Sequence, residues 1–147
     1  MAKMLLLCLA FYFGTLPAAN HHESNCRAAS IQSASPYAGQ YTGEWTETRI
    51  GTGSFSDGES EHEGTWEISI ASDGDITGTE IDKTSGTKGN VRGYIESSGL
   101  LNVNVKYKTT TTIKGVLEKT ENRLVGTLTQ YCDDAACGKI KITLKRK

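Results

Sequence analysis

The chain has 147 residues, with 16 Lys and Arg against 17 Asp and Glu, and this length and balance fit one domain of near-neutral charge. After residue 19 no apolar run approaches the roughly 18 residues that a membrane-spanning helix needs, which excludes such a helix from the rest of the chain. Apolar residues recur regularly from Tyr41 to Leu144, which excludes a disordered chain.

The first residues have the pattern of a signal peptide. Lys3 gives a positive start, residues 4–13 form an apolar stretch of secretory length, and Ala18 and Ala19 supply small residues for cleavage. Residues 1–19 are therefore predicted to be removed, and the protein is expected to be secreted or periplasmic. Residues 20–38 show no period and are rich in Ser, Ala and Asn, so we interpret them as a flexible leader before one domain over residues 39–147.

Two histidines in that leader form a candidate metal site. Cleavage after Ala19 makes His22 the third residue of the mature chain, and cleavage after Ala18 makes His21 the third. A free amine, two backbone amides and a third-residue imidazole supply four in-plane nitrogens, which suit Cu(II) or Ni(II). No residues in the rest of the sequence indicate a cofactor site, so we predict no other cofactor.

Three cysteines remain after cleavage, and two of them are predicted to pair. Cys132 and Cys137 flank residues 133–136, which we interpret as a hairpin loop that holds the two cysteines opposite each other. Export permits a disulfide. Cys26 is left free or available for a bond to another chain.

From Gln40 onward, apolar and polar residues alternate with a period of two, which is typical of β-strands with one buried face. The turns that separate the strands are short and contain Gly, Asp, Ser or Asn, for example residues 72–75, 97–99 and 119–122. The alternating segments number about eight: residues 40–46, 65–70, 76–81, 91–96, 101–107, 111–117, 124–128 and 139–145.

Strands joined by short turns pair with their sequence neighbours, so the simplest topology is an antiparallel meander. Eight strands of this kind can close into a barrel and so leave no exposed edge. Glycines within the strands permit the sharp bends that a small barrel requires. We therefore predict an all-β fold, an eight-stranded up-and-down barrel, with a two-sheet β-sandwich as the alternative.

Two motifs carry a family resemblance. Gly43-Glu44-Trp45, followed by residues 73–79 with the sequence Asp-Gly-Asp-Ile-Thr-Gly-Thr, resembles the first three strands of avidin-type barrels. The resemblance implies an eight-stranded barrel of the avidin and lipocalin type. It does not extend to biotin binding, because Glu47 stands where avidins have a ligand-binding Asn and Glu80 stands where they have a Tyr.

The aromatic residues are candidates for a ligand site if the barrel is hollow. Trp45, Trp66, Tyr41 and Tyr107 are placed to line such a cavity, and a lipocalin-like carrier of a small apolar ligand is then one hypothesis. The predicted inward positions are mostly large aliphatics that can instead fill a small barrel. They are Trp45, Trp66, Ile68, Ile70, Val91, Ile95, Leu101, Val103, Val105, Ile113, Leu117, Leu124, Leu128, Ile140 and Ile142.

The distribution of charge favours a binding protein. Residues 44–82 contain eleven acids and one base, whereas residues 83–147 contain thirteen bases and five acids. In a meander barrel this predicts an acidic wall and a basic wall, either to steer a charged partner or to join the first and last strands. Glu59, Glu61 and Glu63 are the candidate partner surface, for example toward a basic secreted hydrolase.

Few residues in the sequence indicate a catalytic function. His62 is the only histidine in the predicted domain, and its Gly, Ser and Glu neighbours indicate a solvated hairpin, so no hydrolytic triad can be assembled. We expect a non-catalytic binding protein whose partner is a protein or a small ligand and not a nucleic acid.

Overall fold

A computed structural model describes residues 34–50 and 59–147, and every regular element in that part of the chain is a β-strand. The strands are β1 (Gly39–Ile50), β2 (Glu59–Ile70), β3 (Asp75–Asp82), β4 (Thr87–Ile95), β5 (Leu100–Lys106), β6 (Thr110–Thr120), β7 (Arg123–Cys132) and β8 (Ala135–Arg146). They form one closed antiparallel barrel in sequence order, which confirms the predicted meander over the sandwich. The described residues include no helix long and apolar enough to cross a membrane.

The barrel closes where β1 pairs with β8. Residues from Tyr41 to Arg49 pair in antiparallel register with residues from Arg146 to Gly138. Gly43 allows a close approach at this seam, because a Cβ atom there would overlap the backbone carbonyl of Thr143. A side chain at that position would push the two strands apart, so the glycine helps to close the barrel.

Apolar side chains fill the interior. All fifteen predicted inward residues are buried, and Tyr41, Ile76 and Leu144 join them in one core. Val91, Leu101, Val103, Leu124 and Leu128 are 0% exposed, which leaves no water-sized space beside them. The middle of the barrel is therefore a packed core rather than a hollow tube.

One end of the barrel is closed by the residues that precede β1. We call this the lower end, where β1 begins, and the opposite end, where β1 finishes, the upper end. Tyr37 is buried, its carbonyl accepts a 2.9 Å hydrogen bond from the Tyr41 hydroxyl, and the Lys119 ammonium donates to the Pro36 carbonyl. Residues 35–38 therefore pack on the barrel, and their assignment to a flexible leader is wrong for this stretch.

The β7–β8 hairpin lies at the upper end and carries the predicted disulfide. Cys132 and Cys137 are bonded, with Cα atoms 5.8 Å apart. The predicted four-residue loop is wrong, because the loop is only Asp133 and Asp134, and Cys132 pairs directly with Ala135. A register shift after Gln130 leaves Cys137 without a direct partner, and the disulfide reaches this offset residue.

Candidate functional site

Polar side chains occupy the upper end of the barrel interior. In β1 the inward positions continue from Trp45 to Glu47 and Arg49, and in β3 they continue from Ile76 to Glu80 and Asp82. We define the upper cluster as these four polar residues together with three side chains from other strands and the β5–β6 turn. Its members are Glu47, Arg49, His62, Glu80, Asp82, Tyr107 and the indole of Trp66.

Asp82 is the most fully bonded member of the cluster. Its Oδ1 accepts backbone hydrogen bonds of 2.9 Å from Thr84 and 3.0 Å from Ser85, which fix the turn between β3 and β4. Its Oδ2 lies 3.3 Å from His62 Nδ1 and 3.7 Å from Arg49 Nη2. Burial raises the pKa of Asp82, but the hydrogen bonds from Ser85 and His62 outweigh it and hold the pKa below its ordinary value. Asp82 is therefore an ionised anchor for the cluster.

Glu47 is only half satisfied. Its Oε2 accepts a 2.7 Å hydrogen bond from Arg49 Nε, while Oε1 is buried with no hydrogen-bond partner. Burial raises the pKa of Glu47 more than the positive charge of Arg49 lowers it. Arg49 therefore bridges Glu47 and Asp82 with one guanidinium, and its side chain remains 34% exposed.

Of the acids in the cluster, Glu80 has the pKa that is displaced furthest from its ordinary value. It is 4% exposed, and burial raises its pKa to about 7, although hydrogen bonds from Tyr107 and Trp66 lower it. The nearby negative charges of Glu47 and Asp82 raise the pKa of Glu80 further. The Oε2 atom of Glu80 is buried and has no hydrogen-bond partner in the described part of the chain.

Glycines make room for these side chains. A Cβ atom at Gly138 would overlap Oε1 of Glu47, and one at Gly64 would overlap the Trp45 indole. The indole atoms over Gly64 are Cζ2 and Cε2, the second of which is bonded to Nε1, and Gly64 is the direct cross-strand partner of Asp82. The N–H edge of Trp45 therefore lies at the level of the cluster, and that N–H is buried without a partner.

The cluster carries more negative than positive charge. Glu47, Glu80 and Asp82 are each no more than 4% exposed, and Arg49 is the one permanent cation bonded among them. His62 adds a positive charge only when it is protonated. Buried charges are normally paired and buried polar atoms normally bonded. Among the described residues, Oε1 of Glu47, Oε2 of Glu80 and Nε1 of Trp45 are buried and have no hydrogen-bond partner.

The structure brings together three of the four aromatic residues predicted to line a cavity. Trp45, Trp66 and Tyr107 lie at the upper end around the carboxylates, and Tyr107 is half-buried there. Tyr41 lies at the lower end, where its hydroxyl bonds to Tyr37. Glu47 and Glu80, the two positions that depart from the avidin pattern, both belong to the upper cluster.

Two expectations for this region are wrong. His62 does not belong to a solvated hairpin, because its side chain points into the barrel and is 16% exposed. Glu47, Glu80 and Asp82 do not contribute to an acidic outer wall, because they are buried inside. Glu47, Glu80 and Asp82 are each an even number of residues from Trp45 or Ile76 in the same strand, which indicates that their side chains point inward. Their negative charge instead favoured an outward direction.

The candidate partner surface lies on the outer face. Glu61 and Glu63 are exposed in β2, and the side chain of Glu59 lies outside the described residues. A groove of about 800 Å³ has these two acids on one side and Lys139 and Lys141 of β8 on the other, and Glu47 and His62 of the upper cluster also line it. Thr46 and Thr48 of β1 pair with both strands and form its floor. Acidic and basic stripes are therefore neighbours across β1, not opposite walls.

The metal site predicted at His21 or His22, like the role of Cys26, lies outside the described residues. Within residues 34–50 and 59–147, no group of three His, Cys, Asp or Glu side chains has the arrangement to hold a metal ion. The upper cluster therefore contains acids and one histidine without forming a metal cage.

No protein-family model matches this chain, and no curated protein matches it.

Proposed function

We propose that this protein is an exported, non-catalytic binding protein whose ligand contacts the upper cluster. The observation that carries the proposal is the set of three buried atoms without partners, Oε1 of Glu47, Oε2 of Glu80 and Nε1 of Trp45. Binding sites commonly combine an apolar wall with a few polar groups that converge on the ligand. The indoles of Trp45 and Trp66 provide the apolar wall.

Export rests on the signal-like residues 1–19 and on the disulfide. Cys132 and Cys137 are bonded, and structural disulfides are characteristic of secreted and periplasmic proteins. N-terminal sequencing of protein recovered from the secretory host tests this part of the proposal. A mature chain that begins at residue 19 or 20 is expected, and an intact Met1 in exported protein would contradict it.

Binding is favoured over catalysis because the cluster is closed to a large substrate. The three carboxylates are each no more than 4% exposed, and Asp82 is held by four neighbours. Glu80 and Asp82 do have pKa values displaced in opposite directions, a pattern also found in acid–base enzymes. A carboxylate such as Asp82, which is fixed in a turn by backbone hydrogen bonds, serves recognition of a small ligand better than proton transfer to a bulky substrate.

The two tryptophans make the location of binding measurable. The sequence contains only Trp45 and Trp66, so a ¹⁵N–¹H spectrum has two indole signals, and both report on the upper end. A diverse set of small neutral, anionic and cationic compounds is screened for movement of these signals. Ligands are expected to move them in the wild type and to lose affinity in Glu80→Gln, but not in Glu61→Gln on the outer face. Binders that are sensitive only to the outer variant would refute the proposal.

A second candidate function is recognition of a charged protein through the outer groove. The observation that favours it is the juxtaposition of exposed acids at Glu61 and Glu63 with lysines at 139 and 141 across a floor of threonines. The carrier of an apolar ligand finds less support, because the aliphatic part of the interior is filled.

A further inference from the structure

The unpartnered atoms of the upper cluster have a definite chemical character. Two of them, Oε1 of Glu47 and Oε2 of Glu80, are carboxylate oxygens and can only accept hydrogen bonds when ionised. The third, Nε1 of Trp45, can only donate. A ligand that satisfies all three must donate at two points and accept at one.

The charge of the cluster adds a second requirement. Three carboxylates face one guanidinium, and that guanidinium contacts only Glu47 and Asp82. No cation among residues 34–50 and 59–147 pairs with Glu80, whose hydrogen-bonding neighbours are the neutral Tyr107 and Trp66. A buried carboxylate is stabilised by a bonded cation. The donor group of the ligand is therefore expected to carry the positive charge.

The surrounding side chains suit an organic cation better than a metal ion. The described residues form no metal-binding arrangement, as noted above. The hydrogen-bonding neighbours of Glu80 are the aromatic residues Tyr107 and Trp66, which donate to the carboxyl and supply no further metal ligand. Arg49 provides an internal precedent, because its guanidinium already lies 2.7 Å from one of these carboxylates.

We propose that the upper cluster binds a small protonated amine that also carries one hydrogen-bond acceptor. The ammonium donates to Oε1 of Glu47 and Oε2 of Glu80, and the acceptor receives the N–H of Trp45. This inference rests on the proposed function, since it names the class of ligand for the same site.

The test compares amines with uncharged molecules of the same shape. Ethanolamine and tyramine each carry an ammonium and a hydroxyl, methylamine and 2-phenylethylamine lack the hydroxyl, and ethylene glycol and tyrosol lack the charge. Titrations at pH 8 follow the two indole signals and the heat of binding, because Glu80 is mostly ionised and the amines are protonated there. The hydroxylated amines are expected to bind and to move the Trp45 indole proton downfield.

Three variants assign the contacts. Glu47→Gln and Glu80→Gln each remove one charged acceptor and are expected to weaken amine binding about tenfold, since a hydrogen bond between charged groups is lost. Trp45→Phe keeps an aromatic ring without the N–H, and it is expected to abolish the advantage of ethanolamine over methylamine. Glu96→Gln is the control, because it removes an exposed carboxylate of the same type from the lower end, away from the cluster and the groove. Melting temperatures establish that each variant is folded.

The outcomes separate this inference from the function on which it rests. If uncharged or anionic molecules move the indole signals and depend on Glu80 while no amine binds, the cation is refuted and the site survives. If amines bind but depend on neither Glu47 nor Glu80, the binding is a nonspecific surface effect and the inference is refuted. If no compound of any class moves the indole signals, both proposals fail.

Discussion

Glu80 belongs to the proposed binding site, and the burial of its carboxyl also makes the stability of the fold depend on pH. Its carboxyl is buried, and its pKa is raised from an ordinary 4.5 to about 7 by that burial. The folded protein therefore holds a proton on Glu80 at pH values where the unfolded chain has released it. Stability from this group is complete below pH 4.5 and is lost as the pH rises through 7.

We predict that Glu80→Gln removes this dependence on pH. The displacement of the pKa corresponds to about 3 kcal/mol, at roughly 1.4 kcal/mol for each unit of pKa. Urea unfolding of the ligand-free wild type and of the variant, measured from pH 5 to pH 8, gives two stability profiles. The wild type should lose up to that amount relative to Glu80→Gln across this interval. Parallel profiles would mean that Glu80 titrates at its ordinary pKa in the folded state.

The sequence alone could predict whether these acidic side chains point into the barrel, but it could not predict which residues they contact. A period of two places Glu47 on the face of Trp45 and Asp82 on the face of Ile76, so an inward orientation followed from parity. Nothing in that parity shows that Asp82 meets His62 and Arg49, because those contacts depend on the pairing of β1, β2 and β3. An acid at an inward position of a strand therefore indicates a site residue more than surface charge.

At the scale of single elements, the β7–β8 hairpin turns on two residues in an unusual conformation. Asp133 and Asp134 have φ angles of 47° and 65°, in the left-handed region. Two-residue hairpin loops favour this region because its twist matches that of the strands, and glycine adopts it with the least strain. The chain meets the requirement with two aspartates, which tolerate it less well than glycine.

We predict that Asp134→Gly stabilises the protein by about 0.5–1 kcal/mol, because it relieves backbone strain at the second turn position. The matched control is Ala135→Gly, one residue later in β8, which should cost about 0.5–1 kcal/mol because glycine weakens a strand. Denaturant unfolding of both variants under oxidising conditions measures the difference. Equal destabilisation by the two substitutions would show that the turn is not strained.

The β7–β8 hairpin also shows what the alternation of apolar and polar residues can predict and what it cannot. The period of two predicted strands at 124–128 and 139–145 and placed Leu128 and Ile140 inside, as the structure has them. It could not predict the register shift after Gln130, because an extra residue changes the pairing without changing which side chains are apolar. The disulfide was predictable from spacing and compartment, and its offset geometry was not.

At the scale of the whole molecule, closure of the barrel rearranges the charges that the sequence separates. The acidic segment, residues 44–82, begins in β1, and the basic segment ends in β8, so the two meet at the seam. Lys147 bonds to Glu67 across this region, and this contact lowers the pKa of Glu67. Exposed pairs of this kind contribute little stability, so the stripes matter more for long-range attraction.

We predict that Glu61→Gln with Glu63→Gln slows association with a cationic protein about threefold at low salt and flattens the salt dependence of the rate. Lysozyme serves as the basic probe in stopped-flow or surface binding measurements. The melting temperature should hardly change, because both side chains are exposed. The control is Asp75→Asn with Glu96→Gln, which removes two exposed acids at the lower end. If this control slows association equally, net charge and not the groove determines the rate.

The seal at the lower end has a consequence for how the protein can be used. Residues 35–38 pack there, and β8 also finishes there, with the backbone of Lys147 bonded to Gln40. Residues 35–38 and the last residues of β8 therefore both lie at the end away from the upper cluster. A sensor chip, bead or fused enzyme attached after Lys147 would hold the barrel by its lower end, and the upper cluster would face the sample.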